Sequence, residues 1–401
     1  MAGIMTTLRA MFYLLTPLET YYERIEDVPD YVPTAIQLFM GFQLLEFFIA
    51  WYKKRQTPRL NDTFSSLAAG IVSHIPTFFF QSFELSAYIW IHQQYKLPFD
   101  FSWNSSLTYW ITFFGIDFSY YWLHRMSHEV NLFWATHQTH HSAENFNFSV
   151  ALRQGFLQHY FSWIFYLPLA LIIPPQIFII HLQMNLLFQF WVHTEIISKL
   201  GPLEFILNTP SHHRVHHGRN PYCIDKNYAG VLVIWDRLFG TFAAERKDEE
   251  IAYGLVYSFA SFDPLKTQFG YYQYMFEQFF KLEGWKNKLS LIWKGPSWQP
   301  GLPRLGDHQY PLVKYPVEFH DPNISMILSI YTFAHFLFVL GQYSAVLQDL
   351  NNCSVLVLLF YSIFMLFTLT TFGAIFDNRK YALRLERIRL VLMLLLSQPL
   401  I

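Results

Sequence analysis

This chain of 401 residues is poor in cysteine and in charge. Its two cysteines, Cys223 and Cys353, exclude a disulfide framework and a thiolate metal site. Charged residues make up 14% of the chain, against about 25% in soluble domains, which argues against an ordinary water-soluble fold. A net charge of −1 leaves no basic excess to attract nucleic acid. The chain lacks internal repeats and low-complexity tracts. After Arg9 only a short apolar run precedes Pro17, too weak a pattern for a cleaved signal peptide. What is abundant is apolar: 53% of residues are hydrophobic and 20% aromatic. Long, nearly charge-free stretches in such a composition predict an integral membrane protein.

The apolar stretches predict an all-α, multi-span membrane bundle. Thr34 to Tyr52 reads as a first span with Glu46 its only charge, and Lys53-Lys54-Arg55 comes directly after it. By the positive-inside rule that end is cytosolic and the acidic stretch Glu19 to Asp30 lies on the far side. Phe64 to Ile91 is expected to cross back and Leu107 to Leu123 to return, delivering His124 and His128 to the cytosolic boundary. Phe156 to Ile173 and Gln176 to Val192, joined at Pro174-Pro175, read as a helical hairpin that enters and leaves on one side. Ser198 to Asn323 is polar and is expected to wrap or cap the site as the one sizeable extramembrane region. Met326 to Leu340 and Ser354 to Phe372 are later spans, and the basic run Arg379, Lys380, Arg384, Arg387 and Arg389 supports the same orientation. Leu390 to Ile401 begins a further span or lies in the interface. The whole chain thus reads as one membrane domain, with added spans over 325–401. The triplets Asn104-Ser105-Ser106 and Asn352-Cys353-Ser354 are glycosylation sequons on the predicted lumenal side, but Asn147-Phe148-Ser149 falls on the cytosolic side, so they weigh little.

Twelve of the seventeen histidines fall between His124 and His217. Eight form three clusters: His124 with His128; His137, His140 and His141; His213, His216 and His217. Spacings of three and four residues place the members of each cluster on one side of a helix. Imidazole is the commonest nitrogen ligand for iron, zinc and copper, and eight rings exceed the needs of one ion, so two metals are expected. The hairpin returns His193 to the same side. Such a centre beside a bilayer suits O₂ chemistry on a lipid, whose apolar part enters from the membrane. A di-zinc hydrolase normally adds carboxylates. A metal transporter places its ligands near the midplane rather than at span ends.

Asp117 lies two turns before His124 inside a span; a carboxylate there needs a partner, ideally a ligand imidazole's second nitrogen. His159 and His181, in the hairpin, are expected to pair across it or to bond within the bundle. His212 precedes its cluster, breaks the spacing and is expected to stand behind the ligands. Tyr120, Tyr121, Trp122, Phe188, Phe190 and Trp191 line a lipid tunnel or, more simply, pack the bundle. His74, His92, His308, His320 and His335 receive no role.

The clusters resemble the histidine boxes of the fatty acid hydroxylase/sterol desaturase superfamily. The resemblance runs from about Asp117 to Thr241 and includes Asp117-Phe118-Ser119-Tyr120-Tyr121-Trp122-Leu123-His124-Arg125, Trp191-Val192-His193-Thr194-Glu195, Asn227-Tyr228 and Trp235-Asp236-Arg237-Leu238-Phe239-Gly240-Thr241. It implies a hydroxylase core over 107–241. It implies that His124, His128, His137, His140, His141, His213, His216 and His217 are metal ligands and His193 the ninth. Asn208-Thr209-Pro210-Ser211-His212-His213-Arg214-Val215-His216-His217-Gly218-Arg219-Asn220 and the later spans resemble the branch acting on alkylglycerols. That branch implies O₂-dependent hydroxylation of the ether-linked carbon, with collapse to a fatty aldehyde and glycerol. It also implies di-iron, tetrahydrobiopterin as reductant and an endoplasmic reticulum membrane. Glu129 matches a residue of that branch and would orient an imidazole or bind the pterin; a helix-surface charge is the alternative. Asp225, Asn227 and Asp236 match as support for the ligands or as loop and cap residues. A sterol or fatty-acyl hydroxylase or desaturase would carry the same boxes, and a non-catalytic relative would have lost some of them.

Overall fold

The computed structural model describes residues 3–79, 83–99, 101–307 and 309–396, so His308 and residues 397–401 lie outside it. Among the described residues there are fifteen α-helices, linked by short 3-10 turns, and no β-strand. The expected all-α class holds. The chain opens with α1 (Ile4–Met11) and α2 (Val32–Tyr52), then α3 (Leu60–His74) and α4 (Phe83–Tyr95). Next come α5 (Ser106–Glu129) and α6 (Asn131–His141), separated only by the extended residue Val130. The middle holds α7 (Gln158–Ser162), α8 (Pro175–Trp191), α9 (Pro210–His217) and α10 (Ile234–Leu238). The chain then forms α11 (Pro264–Lys281), α12 (Trp285–Trp293), α13 (Met326–Gln348), α14 (Val355–Phe376) and α15 (Ala382–Leu396).

Local chemistry sets the helix starts. Prolines occupy the first turn of α8, α9 and α11, where a missing N–H costs nothing. Asp263, Ser325 and Ser354 cap α11, α13 and α14 by accepting from backbone N–H groups of the first turn.

Among the described residues, three helical segments are long and apolar enough to cross a membrane: residues 25–52, α13 and α14. The region expected to cross back over Phe64 to Ile91 is a bent pair of helices, which makes a fourth span if the two are taken together. Leu60–Phe78 and Phe83–Tyr95 meet at 56°, after Pro76 has turned the end of the first into a 3-10 turn. α5 is continuous over 24 residues, about 36 Å at 1.5 Å per residue. It is too polar to join the three, because Thr108, Thr112, Asp117 and Ser119 line its buried side. The hairpin differs most. Phe156 to Ile173 is not a regular helix but α7 with two 3-10 turns after it, Trp163–Phe165 and Leu167–Leu171, and Pro168 withholds a donor within it.

Two apolar cores hold the bundle. One gathers α1, α2, α5 and α8 around residues such as Ala35, Ile116, Ile177 and Met184. The other joins α3 to α13 and α14 through Phe64, Phe336, Leu369 and Phe372. α3 also packs tightly on residues 148–152, since a Cβ on Gly70 would lie 2.4 Å from the Leu152 carbonyl oxygen. Glu46 serves the first core. Its carboxylate accepts from the Phe148 N–H at 2.8 Å and the Thr194 hydroxyl at 2.5 Å, tying α2 to the segments just after α6 and just after α8.

Candidate metal centre

The nine expected histidines gather in two buried groups. His124, His128, His137, His141 and His216 form one; His140, His193, His213 and His217 form the other. Within each group the ligand atoms on offer lie within 4.8 Å of one another, and each group could hold a metal ion. Helical spacing explains the division. His137 and His141 are one turn apart on α6 and serve the first group, while His140 between them turns toward the second. On α9 the pattern is mirrored: His213 and His217 serve the second group and His216 the first. Two short helices therefore straddle both groups, which adjoin: the rings of His141 and His217 stack with centroids 4.4 Å apart, and those of His213 and His216 lie at 5.2 Å.

The proton positions decide what these rings can bind. Nδ1 of His124, His140, His193 and His216 lies 2.9, 3.0, 2.7 and 2.9 Å from the carbonyl oxygens of Tyr228, Arg153, Gln189 and Lys226. A carbonyl can only accept, so each Nδ1 carries the proton and each Nε2 is a bare lone pair. The bare Nε2 atoms of His140 and His193 face each other at 3.2 Å. Two lone pairs at that distance repel unless a cation lies between them. Nε2 of His128 and of His216 is buried with no hydrogen-bond partner among the described residues. Burial first, and then neighbouring imidazoles, hold His137, His141, His213 and His217 well below the ordinary histidine range. They are neutral, the form that binds metal. The donor set is all imidazole, with an N–H of four rings fixed by the backbone, as metal-binding histidines require.

The carboxylates around the centre serve other partners. Asp117 is fully buried and accepts from the Val231 and Leu232 N–H groups at 2.7 and 2.9 Å, the Trp235 indole at 2.9 Å and the Asn185 amide at 3.1 Å. It pins the 230–235 segment rather than bonding an imidazole. Glu129 is 6% exposed, not a free surface charge. Arg125 donates to one oxygen at 2.7 Å and Arg304 to the other at 2.9 Å. Asp225 is the carboxylate that faces a ring, its Oδ1 3.5 Å from His128 Nδ1. Asn227 and Asp236 hold the loop. The Asn227 amide donates to the His212 and Ala243 carbonyls, and Asp236 accepts from the Tyr228 and Ala229 N–H groups and the Thr241 hydroxyl.

His212 stands outside both groups, its ring 5.4 Å from that of Phe242 and its Nδ1 3.5 Å from the Thr209 hydroxyl. His159 and His181 do not pair with each other. The His159 ring lies 5.5 Å from His74, and His181 Nδ1 lies 3.2 Å from the Tyr13 hydroxyl. The aromatic residues pack the bundle: Tyr121 and Trp122 on Phe239, Phe190 on Phe39 and Phe148, and Phe188 on Trp191.

Several contributors carry no sequence signal. The four carbonyls are backbone groups. Those of Lys226 and Tyr228 are aimed by a loop in which Asp225 and Asn227 both adopt positive φ, 58° and 56°. Phe146 lies against His193, His213 and His217, with centroids at 5.7, 6.3 and 5.0 Å. It sits five residues beyond His141, with no spacing to mark it.

Comparison with known proteins gives the family. The fatty acid hydroxylase family matches residues 109–241, and the alkylglycerol monooxygenase C-terminal domain matches residues 328–399. The alkylglycerol monooxygenase of Xenopus tropicalis is 48% identical over 392 residues, covering 98% of this chain and 87% of its own. That of Homo sapiens is 49% identical over 390 residues, 97% and 87% of the two chains. That of Caenorhabditis elegans is 36% identical over 402 residues, 95% and 79%. No solved structure matches this chain. With such likeness along almost its whole length, this chain is an enzyme of the alkylglycerol monooxygenase family.

Proposed function

We propose that this protein hydroxylates the ether-linked carbon of alkylglycerol lipids, with two irons in the histidine centre and tetrahydrobiopterin as reductant. The observation that carries the reading is the pair of adjoining, all-imidazole groups with bare nitrogens facing inward. The relatives' names supply the substrate class. A di-iron centre supplies the activation of O₂ needed to replace a C–H bond by C–OH. One oxygen atom enters the lipid and the other leaves as water, with two electrons from the pterin and two protons. The resulting hemiacetal breaks its C–O bond to give fatty aldehyde and glycerol.

The chain's own residues prepare this. His124, His128, His137, His141 and His216 would hold one ion, and His140, His193, His213 and His217 the other. The carbonyls of Arg153, Gln189, Lys226 and Tyr228 keep four rings in the ligating tautomer. Glu129, held by Arg125 and Arg304, and Asp117, which braces the 230–235 segment, are proposed to act on the reaction by fixing α5 and its surroundings. We read residues 107–241 as the hydroxylase core of one integral membrane unit, with 325–401 as added spans. We place the enzyme in the endoplasmic reticulum, with the centre on the cytosolic side because of the basic residues at Lys53–Arg55 and Arg379–Arg389.

The test is an aerobic assay of purified, iron-loaded full-length protein with an alkylglycerol and tetrahydrobiopterin. Aldehyde should form only when pterin is present. A protein that holds iron yet forms no pterin-dependent aldehyde overturns the substrate and reductant assignments.

A further inference from the structure

α11 and α12 turn large apolar side chains outward beside exposed Gln273, Glu277 and Lys286. A helix on a water-soluble surface buries apolar residues and exposes polar ones. In α11 the buried residues are Pro264, Thr267, Gln268 and Met275, two of them polar. The Gln268 amide donates to the Ala69 and Gln154 carbonyls at 3.1 and 2.8 Å and accepts from the Phe156 N–H at 2.7 Å. The Thr267 carbonyl accepts from Gln138 and Thr139 of α6. Facing outward are Phe276 and Phe280, 66% and 63% exposed. α12 continues the pattern with Trp285, Leu289 and Trp293, each four residues from the next and all more than half exposed. In water this cluster of large apolar side chains would be costly.

Two further observations identify what covers the face. Between residues 281 and 294, Lys281, Lys286, Lys288 and Lys294 stand against one acid, Glu283. Two of these lysines lie among the rings: Lys288 Nζ is 5.2 Å from the Phe279 centroid and 5.6 Å from that of Trp285, and Lys294 Nζ is 4.4 Å from that of Trp298. Aromatic rings beside long, snorkelling lysines are the composition of a bilayer interface on its anionic side. The hairpin is also set at the right height. Asp377, just past the end of the span α14, accepts from the Ser261 hydroxyl at 2.6 Å and the Phe262 N–H at 2.8 Å. α11 starts at Pro264, so it begins where a membrane span ends.

We infer that the α11–α12 hairpin lies in the membrane interface, its aromatic face immersed in lipid and its lysines at the anionic headgroups. It is then not part of a wholly extramembrane cap. α6 is fastened to this hairpin through Asn131. The Tyr271 hydroxyl donates to the Asn131 side chain at 2.7 Å. The Asn131 amide side chain donates to the Leu291 carbonyl at 2.9 Å, and its backbone N–H donates to the Lys294 carbonyl at 2.8 Å. The hairpin thereby fixes the height of a box-bearing helix against the bilayer.

The test uses full-length protein with Cys353→Ser, in nanodiscs of phosphatidylcholine and phosphatidylserine. Nitroxide labels go on Phe276→Cys, Phe280→Cys and Trp293→Cys, each in a separate chain. Val357→Cys on the exposed face of α14 and Asp248→Cys in a loop are the references. Relaxation by oxygen against a water-soluble nickel chelate should place the three labels with Val357→Cys. Nickel accessibility equal to that of Asp248→Cys at all three positions overturns the inference. So does spin–spin broadening between copies with exclusion of both reagents, which would make the face a contact between two chains.

Discussion

His137 belongs to the five-histidine group and His217 to the four-histidine group, so they probe the two halves of the centre separately. His137→Ala and His217→Ala should each abolish turnover while leaving expression intact, and metal analysis should fall from two ions per chain. Substantial residual activity in both would mean the boxes are not the metal site. Asp225 acts on the centre through His128, so Asp225→Ala should cost roughly 10- to 100-fold in metal affinity or activity, read from metal titration and turnover together. Full activity and metal content would reduce Asp225 to a loop residue. Glu129→Ala should impair activity with metal retained, since its oxygens are held by arginines rather than rings. Loss of metal would instead make it a support of the ligands. The spacing in the sequence already grouped these histidines. The outer partners were not legible, because most are backbone carbonyls that any residue type supplies.

At the scale of elements, α5 and the loop after α9 depend on one carboxylate. Asp117 satisfies four donors, and each left unpaired in a buried place costs about 1–3 kcal/mol. Asp117→Ala should therefore lower the unfolding temperature markedly, measured by intrinsic fluorescence in nanodiscs. Gly230 is packed so closely that a Cβ would lie 2.8 Å from the Tyr120 ring and 2.9 Å from Asp117 Oδ1. Gly230→Ala should shift the transition the same way. Unfolding at the parent temperature in both would show that the bracket does not hold the loop. Long apolar runs and flanking charge located α2, α5, α8, α13 and α14 in the sequence. They did not reveal that Phe156 to Ile173 breaks into short turns, because an apolar run looks the same whether or not its backbone stays helical.

Across the whole molecule, the C-terminal spans are joined to the rest at a close contact. A Cβ on Gly373 of α14 would lie 2.6 Å from the Phe262 carbonyl oxygen and 2.8 Å from Asp263 Cα. Gly373→Val should force α14 off the start of α11 and lower both thermal stability and activity. Parent-like behaviour in both would show that the joint is slack. Composition by itself determined that this is a helical membrane protein, because runs this long and apolar match spanning helices, whose backbone bonds within itself, rather than the short strands of a barrel. Histidine spacing by itself determined that imidazoles would cluster, because α-helical geometry is local. Only the tertiary structure decided how nine rings divide into five and four, since that depends on where α6, α9 and the end of α8 meet. It also decided that Asp117 and Glu129 face backbone donors and arginines rather than imidazoles. Such pairings join residues up to 175 positions apart, and spacing along the chain carries no information at that distance.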